Sequence, residues 1–348
     1  MSGTSGSGRW SWLTSWPVHA AVAVGLLALV AWRARFWELR DQYEDFDLTP
    51  AILAVLLTVP VLLLVTLRGM LILQRLGHRV PFLPLMPIAI LGNVVGSLTP
   101  GAAGDLLRTP FFKDRHDIAY RDGLAAVVYE RGFSLFVLAV STGAAAAWMG
   151  LPVAAAVVVT LACVVILLAT PPVGAIVLER LRPWWPAGQE APEVESSFWR
   201  RALRTVGDSF DSLLVLLRDG AATALTAVLT LLIFGLMAGQ TWLVVRALGL
   251  ALSPAEAYTA LGSSMLAGIL TFLPLGLGTF DATFAAVVGT AEGGFSAGAA
   301  AAVLLRVTVT LPMGIAAFAS YVYLVSLGRR RAPAELDETE PADKIVRD

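Results

Sequence analysis

Charge is what this sequence has least of. Of its 348 residues only 15% are Asp, Glu, Lys or Arg, while 57% are apolar. A soluble chain of this length needs far more charge to cover its surface, so a water-soluble globular domain is excluded. Acids and bases nearly cancel, to a formal net of −1, and the bases are scattered among loop segments. Without a coherent basic stripe, nucleic acid is not expected as a partner. Cysteine is almost absent: the single Cys163 sits in an apolar run, reads as core, and can build neither a disulfide framework nor a cysteine zinc site. His19, His78 and His116 are too dispersed for a metal cluster. Alternating, strand-period patterns are missing, which argues against an outer-membrane barrel. Also missing are G-x-S-x-G, H-E-x-x-H, a Walker A pattern and paired-His spacing, so no catalytic motif is found and no cofactor is expected. The stretch "GLGTFD" (276–281) looks like a glycine-rich phosphate loop, but it has no preceding strand and lies between apolar segments.

What is abundant is uncharged length. Pro17–Trp32, Pro50–Leu67, Phe82–Gly104, Leu151–Leu178 and Ala221–Val245 are uncharged runs, most of them long enough to cross a bilayer as helices. The N-terminal "MSGTSGSGRWSWLTSWP" lacks a small-residue cleavage signature after the first run, so that run reads as a retained helix. Trp10, Trp12 and Trp16 suit an interfacial belt. Arg75 and Arg79, the arginines between Arg180 and Arg218, and Arg329–Arg331 mark cytoplasmic loops, whereas 38–50 is acidic. The positive-inside rule then places both termini in the cytoplasm of a multi-pass cell-membrane protein.

That topology leaves a conflict at two segments. Arg108, Lys113, Arg115 and Arg121, beyond Phe82–Gly104, look as cytoplasmic as Arg75 and Arg79 before it. Residues 255–291 must likewise begin and end on one side. Both conflicts vanish if each segment is a re-entrant hairpin, broken at "LTPGAAG" (98–104) around Pro100 and at "LPLGLG" (273–278) around Pro274. Two Pro-kinked crossing helices are the simpler alternative. The segments also look related: "LGHRVPF" (76–82) compares with "LGLALSP" (248–254), Pro100 with Pro274 and "VVYER" (127–131) with "VLLR" (303–306), at offsets of 172, 174 and 175.

The expected fold is an all-α polytopic membrane protein of inverted repeats, with about six crossing helices and two re-entrant helical hairpins. Its units are an interfacial segment and first helix (1–49), a first repeat (50–148), a connecting helix and cytoplasmic amphipathic helix (149–220), a second repeat (221–328) and a disordered tail (329–348). In 197–219, Leu203, Val206, Phe210, Leu213, Leu214 and Leu217 recur at helical spacing.

Charges inside membrane helices cost about 2.5–3.5 kcal/mol each on insertion scales, so each calls for a reason. Glu130 and Arg131 lie in Gly123–Trp148, about 11–12 Å from its cytoplasmic end at 1.5 Å per residue, and Arg306 is the sole charge of the last helix. One reading is a packing salt bridge from Glu130 to Arg131 or Arg306. The other has Arg131 and Arg306 offering guanidinium forks to a phosphate, with Glu130 holding one of them. Asp105 and Asp281 follow the two breaks; they read either as helix caps or as groups for an amine-bearing headgroup or a proton. Arg108 sits three residues past Asp105 and can pair with it. Gly101, Gly104, Gly276 and Gly278 permit close backbone approach and exposed amides. Asn93 is polar and central in the first entering arm.

These residues resemble the lysylphosphatidylglycerol synthase transmembrane (flippase-like) family. Its pattern is an Asn, then P-G-x-x-G-E-x-x-R, an E-R pair, and later P-x-G-x-G-x-x-E before an intramembrane Arg. Here the pattern reads Asn93, "PGAAGDLLR" (100–108), Glu130-Arg131, "PLGLGTFD" (274–281) and Arg306, within roughly 50–327. Asp105 and Asp281 stand where glutamate is usual, shortening both acids by one methylene. The sequence closes after its last helix without the soluble aminoacyl-transfer domain of bifunctional members, so the resemblance implies the membrane half alone. It implies movement of a phospholipid or polyprenyl-linked lipid between leaflets. The alternative is a membrane enzyme, or the membrane partner of a separate lipid-modifying enzyme; a third option is a structural bundle. A membrane lipid is the expected ligand, with a homo-oligomer or a separate enzyme as further partners.

Overall fold

The computed structural model describes residues 46–150, 209–271, 273–291 and 293–338, and these are helical with no strand among them. Helices α1 (Leu48–Leu56) and α2 (Thr58–Arg75) meet at Leu57 and run as one apolar span. Asp47 starts it, its Oδ1 accepting the Thr49 amide at 2.8 Å. Gly77 ends it at φ 87°, with the His78 amide donating to the Leu73 carbonyl and the Gly77 amide to Gln74. That left-handed stop suits a residue without a Cβ. Helix α3 (Phe82–Leu98) follows, with Pro87 inside it, then a 3₁₀ stretch over Pro100–Leu107 and α4 (Arg108–His116). The second long span is α5 (Tyr120–Trp148).

A helix over 209–218 leads to the third span, α6 (Gly220–Ala247), which ends at Gly249 with the same left-handed stop: φ 72° and a Leu250 amide donating to the Val245 carbonyl. Helix α7 (Pro254–Leu270) opens with a capping box of Ser253 and Glu256. A 3₁₀ turn over Pro274–Gly276 and α8 (Thr279–Ala291) come next. The fourth span is α9 (Gly294–Leu305), a π-turn over Arg306–Thr310, and α10 (Leu311–Glu338).

Among the described residues four helices are therefore long and apolar enough to cross a membrane, and each coincides with an expected crossing. The expected crossings at 10–32 and 151–178 lie outside the described residues, as does 197–208 of the amphipathic segment. The described remainder of that segment packs inward: Leu216 is fully buried, and the Ser212 hydroxyl donates to Asp122 of α5. Helix α10 runs on to Glu338, so 329–338 is helical where a disordered tail was expected.

The α1–α2 span and α6 lie antiparallel. The Asp47 amide donates to the Ala247 carbonyl, Gln240 meets Thr58, Arg68 meets Thr230 and Arg75 meets Asp219. One core cluster joins α1, the end of α6, α8 and α9; a second joins the end of α2 with α3, α5 and the 209–218 helix. Outside them, Leu53, Leu56, Val59, Leu63, Leu231, Leu232, Ile315 and Phe318 are exposed apolar side chains, as a lipid-facing surface requires.

At both Pro/Gly breaks the chain turns back along the helix it has left. A Cβ on Gly96 would stand 2.4 Å from Asp105 Oδ1, and one on Gly92 would collide with the Arg108 side chain. In the second break Gly268 and Gly276 are in backbone contact, and α8 packs against both α7 and α9.

Candidate functional site

The first polar cluster sits where α2, α4, α5 and α6 converge. Glu130 is clamped by two arginines: Arg68 Nη2 donates to its Oε1 at 2.6 Å and Arg108 Nη1 to its Oε2 at 2.7 Å. Arg68 also donates to the hydroxyls of Ser134 and Thr230, both at 3.0 Å. Arg108 reaches Asp105 at 3.4 Å, and Arg131 Nε donates to the other Asp105 oxygen. Five charged side chains thus form a chain, Arg68–Glu130–Arg108–Asp105–Arg131, with charge-assisted bonds at every link. Such pairing offsets the cost of burying each charge.

The second cluster is smaller. Arg306, at the start of the π-turn, donates from Nε and Nη2 to the two oxygens of Asp281 at 3.0 and 3.2 Å, and from Nη2 to the Leu275 carbonyl at 3.1 Å. Its guanidinium lies 4.9 Å from the Phe280 ring centroid. Leu275 is a non-glycine residue at φ 55°, an uncommon conformation that here turns its carbonyl toward Arg306. Asp281 also accepts the Gly278 amide at 3.1 Å, which caps the start of α8.

Both clusters back onto one cavity of about 560 Å³, walled by α3, α5, α6, α7 and the π-turn. Arg131 and Arg306 reach it from opposite clusters. Their side chains are 32% and 21% exposed, whereas those of Asp105, Arg108 and Glu130 are 5% exposed or less. Arg131 Nη2 has no hydrogen-bond partner. No Asp or Glu is among the described residues that line the cavity. Four arginines face three carboxylates across the two clusters, leaving one net positive charge.

The expected site residues divide accordingly. Asn93, Arg131, Gly276 and Arg306 line the cavity. Gly104, Asp105, Arg108, Glu130, Gly278 and Asp281 do not; they lie behind it and hold what does. Pro100 and Gly101 open the first 3₁₀ stretch and Pro274 the second. Glu130 pairs with neither Arg131 nor Arg306, and its nearest partners are Arg68 and Arg108. Asp281 does serve as a cap, but in the first break Thr99 Oγ1 accepts the Gly104 amide and Asp105 is given over to arginines. Neither aspartate is among the residues that line the cavity.

Sequence reasoning missed Arg68 and Gln240. Both were legible as the lone strongly polar side chain deep in an apolar span. Ending the second run at Leu67 hid Arg68, which is followed by further apolar residues in the same helix. Gln240 is fully buried and lines the cavity.

Fold and site together define a class, the polytopic helical membrane protein with an arginine-walled cavity among its spans. The pattern of the family described as the lysylphosphatidylglycerol synthase TM region matches residues 16–317, which include every residue of both clusters. The chain belongs to that family, whose membrane regions are linked to lipid modification or flipping. No curated protein matches it.

Proposed function

We propose that this protein is a lipid translocase that carries a phosphate-bearing phospholipid or polyprenyl-linked lipid between leaflets, without breaking a bond in it. The observation that carries the reading is that Arg131 and Arg306, from separate halves of the chain, line the same cavity while their carboxylate partners lie behind them. A guanidinium tethered through Nε keeps donors for a second acceptor, and two such groups suit a phosphate's oxygens. The cavity's volume of about 560 Å³ lies within the range of ligand pockets, roughly 300–1,000 Å³. The headgroup sits there while the acyl chains remain in lipid.

In this reading the two halves are inverted repeats and the two Pro/Gly turns are re-entrant hairpins. Support comes from reciprocal contacts at the offset of 172 residues. Arg68 donates to Thr230, and Gln240, its counterpart, donates to Thr58, the counterpart of Thr230, each at 3.0 Å. Arg131 with Asp105 and Arg306 with Asp281 are matching pairs within the two halves, at offsets of 175 and 176. A two-fold relation in the membrane plane produces that reciprocity, and transporters of this build hold their cargo where the broken helices meet. The protein would sit in the cell membrane with both termini cytoplasmic.

The test is a leaflet-exchange assay in proteoliposomes with fluorescent phospholipid. The Arg131→Ala, Arg306→Ala double variant, purified as a monodisperse species, is expected to lose protein-dependent exchange. Full exchange by that variant would refute the reading.

A further inference from the structure

The cavity is closed on one side and open on another. Its lining residues from α6, Met237, Gln240 and Thr241, are buried or half-buried. Its exposed lining residues are Ser97, Leu106, Val128, Gly132 and Ile269. They come from the end of α3, the first 3₁₀ stretch, α5 and the end of α7, so the opening is bordered by both Pro/Gly turns and by α5. Three of them are large and apolar, with Leu106 44%, Val128 47% and Ile269 39% exposed. Gly132 has no side chain, and the Ser97 hydroxyl is spent on the Asn93 carbonyl at 3.0 Å. The rim thus presents no charge and no free side-chain donor.

Depth decides what the opening faces. Helix α5 has 29 residues and is about 43 Å long, so Val128 and Gly132 lie within about 10 Å of its midpoint, inside a hydrocarbon core about 30 Å thick. An apolar rim at that depth opens on acyl chains rather than on water. Gly132 also lacks the usual reason for a glycine inside a helix. Glycine is a weak helix former, yet a Cβ at Gly132 would meet nothing within 4 Å. One on Gly96 or Gly276, which also line the cavity, would collide with a neighbour. What the missing side chain leaves clear is the rim next to Arg131, the residue before it and one of the two guanidiniums inside. A cavity of about 560 Å³ has the size of a drug-like ligand's pocket, room for a headgroup but not for two long chains. A lipid whose phosphate lies on Arg131 must therefore let its chains out within reach of that residue.

We propose that this rim is a lateral mouth of the cavity, and that the hydrocarbon chains of the bound lipid leave over Val128 and Gly132 of α5, between Leu106 and Ile269. The proposal rests on the translocase reading for its lipid, but its test separates the two. The probe is phosphatidylglycerol with a diazirine in one acyl chain, photolysed with the native protein in detergent micelles, and the labelled residues are located by peptide mass spectrometry. Every lipid-facing residue takes some label. Unlabelled phosphatidylglycerol is therefore added at about tenfold excess while the probe's share of the micelle is held constant, so that only label at a saturable site is displaced. Label on Leu106, Val128 and Ile269 should then fall about tenfold. Label on Leu231 and Phe318, exposed on the outer surface, should stay unchanged. The Arg131→Ala, Arg306→Ala double variant should show no displaceable label at the mouth, and displaceable label that persists there overturns the proposal. In the native protein, displacement at other residues with none at the mouth overturns the proposal and leaves the translocase reading standing, and it needs no variant to fold. Displaceable label at no residue removes the bound lipid, and the reading and the proposal fall together.

Discussion

Replacing Glu130 with glutamine tests whether the buried charges act as one unit. Glu130 accepts from Arg68 at 2.6 Å and from Arg108 at 2.7 Å, one guanidinium on each oxygen. Glutamine has the same shape but a single acceptor, so its NH₂ group must confront one of the two arginines. One charge-assisted bond, worth about 1.5–3 kcal/mol, is lost outright, and the other falls to the value of an ordinary bond, about 1 kcal/mol. The first cluster is then left with three arginines against Asp105 alone. Breaking a buried pair by removing one partner costs about 3–5 kcal/mol in total, and that is the loss expected for Glu130→Gln. Arg68→Met in the same background relieves the excess charge, because Arg68 is the arginine whose remaining contacts, Ser134 and Thr230, are neutral. The double variant should therefore be more stable than the sum of the single losses implies, by about 1.5–3 kcal/mol. Equilibrium unfolding of the four proteins in one detergent supplies the cycle. Losses that add within about 0.5 kcal/mol, or a Glu130→Gln loss below about 1 kcal/mol, would show that the clamp is not a coupled unit.

Three further substitutions examine close packing at a break and helix capping. Gly96→Ala places a Cβ 2.4 Å from the buried Asp105 Oδ1 and should cost about 2–3 kcal/mol in the same unfolding assay, whereas Gly235→Ala, in α6 with nothing within 4 Å, should be neutral or stabilising by up to about 1 kcal/mol. A similar loss at both sites would remove the close-packing argument. Ser253→Ala deletes half of the capping box of α7 and should cost about 1 kcal/mol, read as faster hydrogen exchange at the first turn of that helix with the other spans unchanged.

The spans were legible because lipid demands long uncharged runs, and such runs need no partner to be recognised. The breaks were legible for a similar reason: Pro100 and Pro274, each followed by glycines, cannot continue a helix. Apart from Arg108 with Asp105, whose three-residue spacing allowed the pair the structure shows at 3.4 Å, the partners of the charges were not legible. Glu130 and Arg131 are neighbours in sequence, yet successive residues of a helix point about 100° apart, and the structure sends one toward Arg68 and the other toward Asp105. Which arginine meets which acid is set by how α2, α4 and α5 pack, a tertiary property that no spacing encodes. The π-turn at Arg306 had one signal, Pro312, which lacks an N–H for the Thr308 carbonyl, but the register shift itself arises within an otherwise continuous span. Such bulges recur at functional sites, and this one opens at the arginine that faces the cavity.

The two halves each have a left-handed glycine stop, a Pro/Gly break and an arginine–aspartate pair, but they do not share the clamp. At the proposed offsets Arg68 and Glu130 align with Gln240 and Leu305, so the Glu130 clamp has no ionic equivalent in the second half, whose charged pair is Arg306 with Asp281. The clamp fixes the packing of α2, α4, α5 and α6 at high electrostatic cost, while Arg131 and Arg306, one from each half, line the cavity. If the clamp frames the site and Arg131 and Arg306 hold the cargo, substitutions should separate accordingly: Arg68 and Glu130 variants should lower stability with little change in which lipid is bound, and Arg131 and Arg306 variants should weaken lipid binding with a smaller loss of stability. Lipid competition and unfolding measured on the same preparations decide it, and a Glu130→Gln protein that switches headgroup preference without losing stability would overturn the division.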